Sequence, residues 1–125
     1  MDPSRIETVR HQLLALHKAI IDAERIDVER IEGRLTGNQM LDRLLTDTRF
    51  AWLYPLTELI VRLDELLEAD AGDVVDAHFA LTVRLLTYEG DPDPFRTEYA
   101  RLLHQSPEVT MAHASVMRAL TGSSR

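Results

Sequence analysis

From Pro3 to Glu32 the chain reads as one amphipathic helix of unusual length, with Ile6, Val9, Leu13, Leu16, Ile20, Val28 and Ile31 recurring at threes and fours and Leu35 following. A stripe that long must be covered by other elements of the same period. The rest of the chain supplies them. A capping side chain precedes a proline at Asp2-Pro3, Asp93-Pro94 and Ser106-Pro107, the pairing expected where a helix begins, because proline at the first helical position forfeits no hydrogen bond. Gly33 and Gly37 are expected to supply the left-handed conformations that stop the first helix. Asn38 then stands ready to cap a short helix from Gln39 to about Thr46, and Asp47 to cap the next.

The helix after Asp47 carries Trp52, Leu53, Leu56, Leu59, Ile60, Leu63, Leu66 and Leu67 on one stripe. Pro55 lies inside it and denies a bond to the carbonyl of Ala51, which predicts a kink or a fresh start near Tyr54. Ala71-Gly72-Asp73 interrupts the pattern. A fourth helix then runs to about Tyr88, with Val74, Ala77, His78, Leu81, Leu85 and Tyr88 as its inner stripe. Gly90-Asp91-Pro92-Asp93-Pro94 is a loop. Phe95, Tyr99, Leu102 and Leu103 mark a fifth helix, and Val109, Ala112, Val116 and Leu120 a sixth that stops at Gly122. No segment alternates with period two. The expected fold is all-α, a helical bundle of about five to six helices, two of them long, with antiparallel neighbours. One helical domain is expected over 1–122, with 123–125 as a frayed C-terminal tail.

Composition removes several classes of function. With 45% apolar and 28% charged residues the chain has the balance of a globular domain. It contains no cysteine, so disulfides, thiolate metal sites and cysteine nucleophiles are unavailable. Twenty-one acids against fourteen bases give a formal charge of −7, a field that repels phosphate backbones and anionic headgroups. Neither nucleic acid nor a membrane is an expected partner. No apolar run approaches the roughly 18 residues of a spanning helix. Met1 to Ile6 lacks the basic-then-apolar order of a signal peptide, so the expected location is cytoplasmic.

The motifs of catalysis are missing. There is no Gly-x-Ser-x-Gly turn, the five glycines are dispersed, and Asp91 to Glu98 lacks the spacing of a calcium loop. Five histidines in a helical bundle resemble the hemerythrin-like and ferritin-like families, in which carboxylates and histidines from facing helices hold two irons. The spacing departs from that pattern, since within a single predicted helix only Glu7 and His11 stand one turn apart as a carboxylate-histidine pair. His17, His78 and His113 nevertheless fall on or beside the apolar stripes of three helices, and Glu24 lies two turns beyond His17. These four are the candidate metal or haem ligands. Inward histidines are most often bonded to a backbone or hydroxyl partner, so the expectation is structural histidines and no metal or cofactor.

Asp47 to Ile60, DTRFAWLYPLTELI, holds the only Trp, and Phe50, Tyr54 and Val61 make a second apolar strip opposite the main stripe. That strip is the candidate interface. LHKAIIDAER (16–25) and FAWLYPLTELI (50–60) together resemble a group of small, uncharacterised bacterial all-helical proteins. The resemblance covers the first half of the chain and implies a bacterial helical protein, with no activity, ligand or catalytic residue. The expected function is a noncatalytic helical interaction or regulatory module acting as a homodimer or adaptor. The alternative is a metal- or small-ligand-binding bundle that uses the inward histidines and Glu24.

Overall fold

The computed structural model describes residues 3–69, 72–87, 91 and 93–122, and among them it is 91% helical with six α-helices and no strand. Helix α1 spans Pro3–Glu32, about 45 Å at 1.5 Å per residue. Gly33 ends it at φ 86°, its N–H donating to the Glu29 carbonyl at 2.9 Å. Gly37 takes no left-handed conformation; it opens α2, Gly37–Thr46. The cap of α2 is Thr36 rather than Asn38. Thr36 Oγ1 accepts from the Gln39 N–H at 3.1 Å, and Gln39 Oε1 accepts from the Thr36 N–H at 2.8 Å. A reciprocal box needs two hydrogen-bonding side chains three residues apart, which Thr36 and Gln39 supply, whereas the residue three beyond Asn38 is Leu41, which has no acceptor.

Asp47 caps a six-residue 3-10 segment, Thr48–Leu53, by accepting from the Arg49 N–H at 2.9 Å. Helix α3, Tyr54–Glu68, starts afresh with Pro55 in its first turn, so the second long run of the sequence is divided there. Helix α4 is Gly72–Thr87, α5 is Pro94–Gln105 and α6 is Pro107–Thr121. Asp93 caps α5 through the Arg96 N–H at 2.8 Å, and Ser106 caps α6 through the Val109 N–H at 3.2 Å. Gly122 stops α6 at φ 73°. The expected cap at Asp2, the inner position of Tyr88, the loop residues Gly90 and Pro92 and the tail 123–125 lie outside the described residues.

Helix α1 is the spine, packed along α6 and α3. Arg5 Nη2 donates to the Leu120 carbonyl at 2.7 Å, which sets the start of α1 beside the end of α6. Arg10 pairs with Asp64 while His17 meets Thr57, so α3 also runs antiparallel to α1. Helix α4 folds back on α3 and touches α6, and α5 lies against α6 and the 3-10 segment. Val9, Leu13, Leu16 and Ile20 of α1 are fully buried against Leu56, Leu63, Leu102, Val109 and Val116. Each such side chain contributes about 1.5–3 kcal/mol of transfer free energy. A smaller cluster of Val28, Leu35, Met40 and Phe50 closes the end where α1, α2 and the 3-10 segment meet.

Two expectations about buried faces are corrected. Ile31, in the last turn of α1, is 79% exposed, because the chain leaves the bundle there. On α4 the core takes Val75, Phe79, Thr82 and Leu86, while Val74 and Leu81 are exposed; His78 is buried, and Leu85 is half-buried. This helix bears two apolar stripes about 100° apart, since Val74 and Val75 are neighbours in sequence. No helix among the described residues is long and apolar enough to cross a membrane.

Candidate functional site: a groove between α3 and α4

The four candidate ligands go to four separate contacts. His17 Nε2 lies 2.9 Å from Thr57 Oγ1, whose own hydrogen is directed at the Leu53 carbonyl, so the imidazole is the donor. His78 Nε2 donates to the Leu59 carbonyl at 2.7 Å, which fixes the tautomer and leaves Nδ1 buried without a partner among the described residues. His113 Nδ1 is 2.6 Å from the Tyr99 hydroxyl. Burial lowers the pKa of all three imidazoles and raises that of Tyr99, so each site favours its neutral form. At His78 the bond to Leu59 opposes that effect and nearby Arg62 adds to it. Among the described residues no three or more His, Asp or Glu groups stand close enough to share a metal ion.

Glu24 is only 2% exposed and is held by Arg101 of α5, with Arg49 4.0 Å away on the other carboxylate oxygen. Arg101 also reaches Asp27 at 3.2 Å and Glu98 at 2.9 Å. Desolvation works against the charge on Arg101, and the bonds to Glu98 and Glu24 more than offset it, raising its pKa overall. One guanidinium thus ties α5 to α1. Sequence reasoning noticed Glu24 but missed its partner, because nothing in the spacing along the chain pairs residues 77 positions apart.

The expected interface strip divides in the same way. Phe50 is only 4% exposed and packs with Val28, Leu35 and Met40, so it cannot meet a partner. The 3-10 segment turns it inward, away from the direction a continuous α-helix would have given. Tyr54 and Val61 are well exposed on the outer side of α3.

Beside them runs an open groove of about 630 Å³ between α3 and α4. Leu59 and Leu66 line it from α3, and Val74, Ala77, Leu81 and Leu85 from α4. Leu81 is 59% exposed. Pro55, Glu58 and Arg62 form the α3 rim, and His78 lies at the floor, its ring turned to the Leu59 carbonyl. Glu58 and Arg62 are exposed, and neither is in an ion pair with another described residue. A second groove, of about 540 Å³, separates α1 from α5 and α6 over Ala15, Ala19 and Ala23. Four of its five charged lining residues pair with one another, Lys18 with Asp22 at 2.7 Å and Arg30 with Asp27 at 3.8 Å, and Glu108 accepts from the Ser106 hydroxyl at 3.2 Å. The α3–α4 groove has the larger apolar lining, and its rim carries both an acid and a base that are in no ion pair with another described residue. It can bury apolar side chains of another molecule. Comparison with protein families, with curated proteins and with solved structures finds nothing that matches this chain.

Proposed function

We propose that the protein is a noncatalytic helical interaction module that self-associates through the α3–α4 face. The observation that carries this reading is the apolar groove of Leu59, Leu66, Val74, Leu81 and Leu85, which the other described residues leave open. Uncovered contiguous apolar surface with a polar rim marks an interaction site, and helical pairs present such surfaces to other helices. A second copy is the occupant that fits. Closed two-fold pairing requires a surface complementary to itself, and Glu58 and Arg62 put one charge of each sign on the same rim. Tyr54 and Val61, exposed next to this rim, extend the same face.

Light scattering behind a sizing column tests the reading. At tens of micromolar the wild-type protein elutes with twice the 14.3 kDa mass of the chain, and Leu81→Arg elutes as a folded monomer with unchanged circular dichroism. A wild-type monomer under those conditions sinks the proposal.

A further inference from the structure

The groove also specifies how the two copies meet. We infer a two-fold axis that lies across α3 at the level of Ile60 and across α4 at the level of Ala77, setting α3 antiparallel to its copy and α4 antiparallel to its copy. This rests on the self-association proposed above and adds the register.

Two independent features of the surface agree on that axis. On α3, Glu58 and Arg62 are one turn apart, exposed, and not paired within the described chain. An axis midway between them places Glu58 against Arg62 of the second copy, twice over by symmetry. On α4, Val74 and Leu81 are the exposed apolar residues of the groove, and Ala77 is the small residue between them. An axis near Ala77 places Val74 against Leu81 of the second copy and lets the two α4 helices approach closely where their Ala77 residues meet. The bond from His78 Nε2 to the Leu59 carbonyl ties these levels together, because it holds the Ala77–His78 turn of α4 beside the Leu59–Ile60 turn of α3. One axis therefore satisfies both helices. Leu59 and Leu66 are left to close the seam between the α3 and α4 pairs.

Charge reversal and cross-linking test the register separately from the association. Glu58→Arg and Arg62→Glu should each weaken self-association roughly tenfold or more at low salt, since each sets two like-charge pairs in contact. The double variant Glu58→Arg/Arg62→Glu should return to within about threefold of wild type, because it restores both pairs with their signs exchanged. The natural chain has no cysteine, so a single introduced thiol reports on symmetry. Ala77→Cys should form a disulfide-linked dimer under mild oxidation, whereas Leu85→Cys, two turns from the axis, should not. A dimer in which the double reversal gives no rescue, or in which Leu85→Cys cross-links and Ala77→Cys does not, overturns the register and leaves self-association standing. A wild-type monomer overturns both.

Discussion

Glu24 occupies a core position of α1, between Ile20 and Val28 on the buried stripe, and its carboxylate survives there because Arg101 reaches it from α5. The two partners are not equivalent. Arg101 retains Asp27, Glu98 and access to solvent when Glu24 is removed, whereas Glu24 without Arg101 keeps only Arg49 at 4.0 Å. Arg101→Ala should therefore cost about 3–5 kcal/mol in urea unfolding, the range for orphaning one member of a buried pair. Glu24→Leu should cost less than half as much, and equal losses would show that the pair acts as a surface bridge. The histidines make a second prediction at this scale. His17, His78 and His113 have pKa values lowered by burial, so the unfolded chain binds protons more readily than the folded one. Their stabilising contribution is complete above the unfolded value near 6.5 and is lost as pH falls through the lower folded values. The melting temperature should drop between pH 7 and pH 5, and His78→Gln should flatten that drop, since protonation of wild-type His78 puts a buried N–H where Nδ1 has no partner among the described residues. An unchanged slope in the variant would assign the pH dependence to other groups.

At the scale of elements, the consequence of Pro55 follows from where α3 begins. A proline in the middle of a continuous helix would destabilise it, and replacing it with alanine would help. Here it stands in the first turn of α3, where its missing N–H costs little and its fixed φ suits a helix start after the 3-10 segment. Pro55→Ala should then lower stability by about 0.4–1 kcal/mol, through the added freedom of the unfolded chain, and a gain in melting temperature would contradict this placement. The helix starts at Asp93-Pro94 and Ser106-Pro107 were legible for the same local reason, a side chain bonding to a backbone N–H three residues on. The inner face of α4 was not. Val74, Leu81 and Leu85 match the helical period as well as Val75, Phe79, Thr82 and Leu86 do, and only contact with α3 and α6 assigns the second set to the core.

For the whole molecule, the formal charge of −7 opposes bringing two copies together, so the proposed association requires a face with local balance. The α3–α4 groove, with its one acid and one base on the rim, has that balance. If pairing stabilises the fold by mass action, the melting temperature should rise by a few degrees between about 1 and 100 μM protein, because folding and association are then linked. Leu81→Arg should melt at a temperature independent of concentration. A wild-type melting temperature that does not move across that range would argue that the groove is filled by something other than a second copy.

The sequence by itself determined what depends on near neighbours along the chain. The 3.6-residue period of α1, the caps at Asp93 and Ser106, the left-handed stop at Gly33 and the restart near Tyr54 each involve residues within a turn or two of one another. Tertiary structure decided everything that depends on which of two equivalent faces meets a neighbour. It turned Phe50 into the small cluster at the end of α1, and it sent His17, His78 and His113 to separate partners. It also joined Glu24 to Arg101 and left Val74 and Leu81 facing outward. A helical period fixes the angle between two side chains on one helix, but the direction in which the bundle lies is set only by the helices that pack against it.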